Sequence, residues 1–156
     1  MLPKTAATLF VHFKNAATGA LLYVMKEKTV GEGENARTEL VRKTDEDGKE
    51  MPIGATVYTP GSKSYRTASN MNATANFKGG KKEMTGEKFD QQQVDLLART
   101  TIKFHHVDDG KGGNVNANNF EAARAWYDAD ENVAYREQVA EEQADLGKSL
   151  IQPVKG

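Results

Sequence analysis

The chain has 156 residues, of which 38% are hydrophobic and 28% charged. This is enough for one domain with a small core, and too little for two independent cores. Lys and Arg together number 21 against 22 Asp and Glu, which argues against a surface devoted to nucleic acid or to an anionic membrane. The lack of cysteine excludes disulfides, thiolate metal sites and cysteine nucleophiles. We expect one cooperative unit, with neither signal peptide nor membrane span, in the cytoplasm.

Residues 1–59 are predicted to form a β-hairpin region. The segments TLFVHFK (8–14) and ALLYVMK (20–26) alternate apolar and other residues, as strands do, and NAATG between them has the length of a hairpin loop. Residues 27–54 are dense in charge and predict an exposed ribbon, with turns at GEGEN and at Asp47–Gly48, the latter of type I′. The segment GATVYT (54–59) predicts one more strand.

Residues 60–150 are predicted to be helical. Apolar spacing indicates a weak helix over 62–77, a break at GGKKEMTG (79–86) and a stronger helix from Glu87 to Lys103, with Phe104 continuing its apolar side. A polar loop, HHVDDGKGGNVNAN, comes next. The fold class is therefore α+β: a small N-terminal antiparallel β-sheet of hairpins, followed by a C-terminal bundle of about four helices.

The last two helices are predicted from their caps. Asn118 followed by Glu121 resembles a capping box that opens a short helix. Asp130 is expected to cap a final helix over 131–148. The inner stripe expected for that helix consists of Val133, Ala140 and Ala144. Residues 151–156 are expected to be a flexible tail.

The stretch YTPGSKSYRTASN (58–70) invites comparison with a phosphate-binding loop. Such a loop needs two glycines four residues apart, followed by Lys-Ser or Lys-Thr. Gly54 and Gly61 have six residues between them, and Lys63 follows Ser62 rather than the second glycine. The stretch is better interpreted as a turn at Pro60 and Gly61, with Ser62 or Ser64 capping the helix.

Catalytic and metal sites are not expected. His105 and His106 are adjacent and point in different directions, so they do not chelate one ion as an i, i+4 pair would. A site completed by Asp108 is the alternative to a solvated loop. DADEN (128–132) starts like a calcium loop but lacks the later glycine and glutamate. We therefore predict no catalytic residue, no metal and no cofactor, and a protein that is not an enzyme.

An aromatic group near the C-terminus is the one candidate partner-binding site. Its members share helical spacing, which also fits a packed core. They are Phe120, Trp126, Tyr127 and Tyr135.

The order of segments resembles a known family. VYTPGSKSYRTA (57–68) resembles the "vtVyGPgSkeyRrA" segment of small tail assembly chaperones of tailed bacteriophages. The series continues with FKGGKKEMTGEKFDQQQVDLLARTT, then VDDGKGGNV, then NNFEAARAWYDADENVAYREQVAEEQADLGKSL, and spans residues 55–150. Thr59 stands where the family has glycine, the family's tryptophan is replaced within TTIKFHHV, and residues before 55 are richer in strands.

The resemblance implies a protein that binds the tape-measure protein, keeps its hydrophobic helices soluble and brings tail-tube subunits to it, in the host cytoplasm during assembly. It implies no catalytic residue, and a homo-oligomer is compatible with it. The balance of charge, rather than the resemblance, predicts neither nucleic acid nor membrane as a partner. The alternative is a structural protein of the virion, tail or capsid, whose N-terminal hairpins join a neighbour's sheet by strand addition. An enzyme using His105 and His106 ranks last.

Overall fold

A computed structural model describes residues 7–78 and 86–151 and shows an α+β fold, with a small antiparallel sheet and four helices among those residues. Five strands and four helices follow one another in chain order. The strands are β1 (Thr8–His12), β2 (Met25–Val30), β3 (Arg37–Arg42), β4 (Gly54–Tyr58) and β5 (Thr101–His105); the helices are α1 (Lys63–Lys78), α2 (Gly86–Thr100), α3 (Phe120–Asp128) and α4 (Val133–Ile151).

The main sheet has three antiparallel strands in the order β1-β4-β5. Strand β5 corrects the prediction of a helix to Lys103, because α2 ends at Thr100 and Thr101 begins a strand. The hydroxyl of Thr100 donates to the carbonyl of Leu96, and that of Thr101 to the carbonyl of Leu97. Two of the last helical carbonyls are satisfied in this way, so the chain passes from helix to strand without a loop.

The predicted first hairpin is present only next to its loop. Lys14 pairs with Leu21 across residues 15–20, but the partner of β1 over its whole length is β4. Residues 20–24 make isolated bridges, such as that of Tyr23 with Pro52, and a regular strand begins at Met25.

The predicted exposed ribbon is confirmed as the hairpin of β2 and β3, neither of which has a buried residue. Its turn lies at 31–36, as GEGEN indicates. The second turn is also present, since the N–H of Gly48 donates to the carbonyl of Asp45. Its predicted type I′ is wrong, because Gly48 has a φ of +76° while Asp47 does not share the positive φ that type I′ requires of both central residues.

The start of each helix shows which predicted caps are right. Ser62 accepts a hydrogen bond from the N–H of Tyr65, so it caps α1 as predicted. The cap of α3 is Asn119, one residue after the predicted Asn118. Asp130 makes no side-chain cap; it lies in a 3-10 turn before α4.

The inner face of α4 differs from the predicted stripe. Within residues 133–146, whose burial is described, Arg136, Val139 and Gln143 are buried. Of the predicted stripe, Val133 and Ala140 are half-buried and Ala144 is exposed. Gln143 donates to the carbonyl of Tyr58 and to the hydroxyl of Thr100, which ties α4 to the end of β4 and to the end of α2. The stripe is therefore partly polar, and its polar groups find partners far away in the chain.

One core cluster joins the two halves of the chain. It includes Val11 and Val57 from the sheet, Leu97 from α2, Tyr127 from α3 and Val139 from α4. The division at residue 59 therefore does not separate two cores, although the cooperativity of unfolding stays a prediction. The predicted break at 79–86 and the predicted tail fall mostly outside the described residues. Within the described ranges, no helix is both long and apolar enough to cross a membrane.

Candidate functional site: two grooves beside helix α1

Helix α1 is thinly packed against the rest of the protein. Between Lys63 and Met71, Ala68 is the one buried residue, while Met71 is 48% exposed. An alanine covers little apolar surface, so the helix contacts α2 along a narrow line. A groove therefore runs along each side of α1.

The first groove lies between α1 and the junction of α2 with β5, and has a volume of about 560 Å³. One wall is formed by α1 residues at the i, i+3, i+4 and i+7 positions of one helical face: Ser64, Thr67, Ala68 and Met71. The facing residues come from the end of α2, the start of β5 and the start of α3; they include Ala98, Arg99, Ile102 and Phe120.

Among the described residues that line this groove, the charged ones are Lys63 and Arg99, and both are cations. The guanidinium carbon of Arg99 lies 4.4 Å from the centroid of the Phe120 ring, a distance typical of a cation–π contact. The contact holds the cation of Arg99 against the ring of Phe120. We call this site the basic groove.

The second groove lies on the other side of α1, where α1, α2 and α4 meet, and has a volume of about 460 Å³. Among the residues that the structure describes, no charged one lines this second groove. Its lining is Tyr65, Ser69, Phe89, Gln92, Gln93, Leu96, Leu97, Ala140, Gln143 and Ala144. Burial raises the pKa of the Tyr65 hydroxyl, and Phe89 is 62% exposed. We call this site the uncharged groove.

The four aromatic residues predicted to bind a partner occupy different places. Phe120 lines the basic groove. Trp126 and Tyr135 are half-buried and stack on Phe13, with ring centroids 5.7 Å and 5.0 Å away respectively. Tyr127 has no exposed surface, so its assignment to a partner surface is corrected to the core.

The hydroxyl of Tyr127 is part of the α2–β5 junction. It lies 2.6 Å from the hydroxyl of Thr101, whose own proton is directed to the carbonyl of Leu97. Tyr127 is therefore the donor to Thr101. Burial raises the pKa of Tyr127 well above its usual range, which keeps the donor protonated.

The two histidines have separate surroundings. The Nε2 atom of His105 lies 2.7 Å from the hydroxyl of Thr56. Burial, Lys103 and His106 lower the pKa of His105. His106 is exposed and has a φ of +59°, which turns the chain out of β5.

The aspartates after the histidines serve the loop itself. Asp108 accepts a hydrogen bond from the N–H of Gly110, and Asp109 accepts from those of Lys111 and Gly113. The latter two bonds lower the pKa of Asp109. In the part of the chain that the structure describes, no three His, Asp or Glu residues are placed to hold a metal ion.

Sequence reasoning missed the groove residues Met71, Phe89, Arg99 and Ile102. Met71 and Phe89 belong to the apolar spacing of the two predicted helices, yet both are about half-exposed or more. The signal in the sequence that could have identified them is that α1 contains few large apolar residues besides Met71. This predicts that the helix is incompletely buried. Comparisons of the chain with protein-family models, curated proteins and solved structures find no match.

Proposed function

We propose that the protein is a non-enzymatic tail assembly chaperone of a tailed bacteriophage. In this proposal it binds helical segments of the tape-measure protein in the two grooves beside α1, and helps to recruit tail-tube subunits in the host cytoplasm. The resemblance of residues 55–150 to that family supports it. The observation that carries it is the pair of grooves, each lined in part by apolar side chains, beside a thinly packed helix.

A groove bounded by helices suits an amphipathic helix as its ligand. Such a ligand inserts apolar side chains at i, i+3 or i+4, and i+7, and a groove wall with the same helical spacing can receive them. Met71 adds a flexible thioether side chain, which adapts to apolar groups of different shape. The site thus fits a series of related helices rather than one fixed sequence.

Covering the exposed apolar side chains of the two grooves is energetically favourable. Fully burying a Met or Phe side chain contributes about 1.5–3 kcal/mol. Met71 is 48% and Phe89 is 62% exposed, so covering the exposed part of each contributes on the order of 1 kcal/mol. Helix α1 is rich in Asn, Ser and Thr, which are weak helix formers, so it can shift to admit a ligand at small cost.

Co-expression with the tape-measure protein of the same phage tests the proposal. We expect a larger soluble fraction of the tape-measure protein and a complex of the two on size-exclusion chromatography. Unchanged solubility together with separate elution of the two proteins would count against it.

Matched variants locate the contact. Met71→Asp and Phe89→Asp place a charge in the basic and uncharged grooves respectively, and each is expected to reduce the recovered complex at least tenfold. Leu21→Asp, beside the loop of residues 15–20 and outside both grooves, makes the same kind of change at a residue that is 43% exposed, and is expected to leave recovery unchanged. Circular dichroism checks that all three variants fold.

A structural role in the virion is the second candidate, and the ribbon favours it. Just beyond the end of β1, the backbone of Lys14 pairs with the side chain of Gln138, and on β5 the carbonyl of Phe104 accepts a hydrogen bond from the side chain of Asn114. Both strands of the ribbon, β2 and β3, are edge strands of a two-stranded sheet, so strand addition would use either of them. Mass spectrometry of purified particles separates the candidates, because stoichiometric copies in the mature virion support the structural role.

A further inference from the structure

The face of the main sheet that points away from the helices carries an ordered aromatic group. Residues that alternate with buried Val11 and Phe104 lie on this face, among them Phe10, His12 and His105. Phe10 is 40% exposed, and its ring lies where a Cβ on Gly54 would come within 2.9 Å. The ring of His105 contacts Phe10 edge-on, with centroids 5.1 Å apart. Phe10 is thus held in place while exposed.

The aromatic group continues onto the ribbon. The ring of His12 lies 4.8 Å from that of Tyr23, and the guanidinium of Arg42 lies 3.9 Å from the centroid of Tyr23. Met25 is directly opposite Arg42, and Leu40 is opposite Glu27 two residue pairs further on, so Met25 and Leu40 share the face of the ribbon that carries Arg42. We call Phe10, His12, Tyr23, Met25 and Leu40 the outer strip.

The part of the outer strip that lies on the ribbon exposes large apolar side chains to solvent. Met25 is 46% exposed and Leu40 is 68% exposed. A two-stranded hairpin alone is marginally stable in water, and neither β2 nor β3 has a buried residue. A partner that covers the strip would therefore stabilise the ribbon as well as bury the two side chains.

Acidic and basic residues lie at opposite ends of the outer strip. The ribbon tip carries the exposed carboxylates of Glu32 and Glu34, and the opposite end, on β5, carries exposed Lys103. Between them, the charge of Arg42 is balanced by Glu50, whose carboxylate lies 3.0 Å away. Glu27, opposite Leu40, adds an exposed carboxylate on the half nearer the tip. The strip is thus acidic toward the tip and basic at the other end, with Met25, Leu40 and the aromatic rings between.

We propose that the outer strip is the interface of a homodimer in which two copies pack face to face and antiparallel. A two-fold axis through Met25 would place the acidic tip of each copy against Lys103 of the other, and the apolar residues against one another. The arrangement is self-complementary, as an isologous interface requires. It uses a surface separate from the grooves and does not depend on the proposed function.

Sedimentation equilibrium of the full chain tests the dimer. We expect a dimer at micromolar concentration, and at least a tenfold higher dissociation constant for Leu40→Glu. A monomer at all concentrations up to 1 mM (about 4 kcal/mol of association free energy) would overturn the proposal, as would unchanged association of a folded Leu40→Glu variant.

Charge reversal tests the antiparallel arrangement. Lys103→Glu should weaken the dimer at least fivefold, and Glu34→Lys combined with Lys103→Glu should restore it. Lys26→Glu, an equal charge change on the opposite face of the ribbon, should have no effect. Equal weakening by Lys103→Glu and Lys26→Glu, or failure of the double variant to recover, would overturn the arrangement.

Because the chain contains no cysteine, a single introduced cysteine reports the axis directly. Met25→Cys is expected to form a disulfide-linked dimer on mild oxidation, whereas Lys26→Cys, on the other face, is expected to remain monomeric on a denaturing gel. Cross-linking of Lys26→Cys with none of Met25→Cys would place a different face at the contact.

Discussion

The carboxamide of Gln138 in α4 accepts a hydrogen bond from the backbone N–H of Lys14 and donates one to the carbonyl of the same residue, both at 2.8 Å. A side chain thus takes the place of a neighbouring strand just beyond β1. The pair also joins the N-terminal part of the sheet to the last helix, 124 residues later.

Replacing Gln138 should therefore destabilise the protein measurably. Gln138→Ala removes both hydrogen bonds, and we expect the free energy of unfolding in urea to fall by about 1–2 kcal/mol. Gln138→Glu keeps the acceptor and loses the donor, so it should fall between wild type and alanine. Glu137→Ala, next to it and exposed, is the control; equal losses for Glu137→Ala and Gln138→Ala would show that the pairing does not contribute.

The buried hydroxyl pair of Tyr127 and Thr101 predicts a coupling. Tyr127→Phe and Thr101→Val should each lower the free energy of unfolding by about 1–2 kcal/mol. The double variant should cost less than the sum of the two, by about 1 kcal/mol. Strict additivity in this double-mutant cycle would contradict the hydrogen bond described here.

The buried guanidinium of Arg136 predicts an order of stabilities. Its side chain is 7% exposed and bonds to Asp90, whose side chain is 49% exposed. Its Nε atom has no partner among the described residues. Asp90→Ala leaves a buried charge, and we expect a loss of about 2 kcal/mol, since water reaches the site from the Asp90 side.

Arg136→Met removes that charge and fills a similar volume, so it should cost less than Asp90→Ala. The combined variant should be no less stable than Asp90→Ala alone. Thermal unfolding of the three variants measures the order; if Arg136→Met is the least stable of them, the buried charge stabilises the fold on its own.

Gly54 is predicted to be irreplaceable because of its surroundings. A Cβ there would lie 2.2 Å from the carbonyl oxygen of Val11, which belongs to the paired strand and cannot move without breaking the sheet. Gly54→Ala should cost more than about 2 kcal/mol. In Gly113→Ala, the new Cβ would lie 3.2 Å from the flexible carboxylate of Asp109, and the expected cost is below about 1 kcal/mol. Similar costs for the two would contradict the close approach.

The local pattern of apolar and polar residues was sufficient to predict most of the strands and helices. The β-branched run before Pro60 predicts β4 as found, and the spacing of apolar residues after Pro60 predicts α1. Both predictions depend only on how residues alternate or recur within a short segment. Strand β5 could not be predicted in this way. Phe104 continues the apolar spacing of α2, and only its pairing with Ala55, far away in the sequence, makes the segment a strand.

The grooves and the polar inner face of α4 depend on how helices pack, which one sequence does not show. A pattern of spacing assigns Met71 to an inward face, but the extent of its burial is set by α2 and β5. Arg136 and Gln143 look like surface residues until Asp90, Thr100 and Tyr58 provide their partners. The tail-assembly role likewise stays a proposal that rests on the resemblance and on the grooves.

Hydrogen–deuterium exchange of the protein, alone and in complex with the tape-measure protein, tests the central claim most directly. We expect the complex to slow exchange of backbone amides in residues 63–71 of α1 and in residues 96–102, which line the two grooves, and to leave residues 25–42 unchanged. Protection limited to residues 25–42, with unchanged exchange beside α1, would contradict the claim.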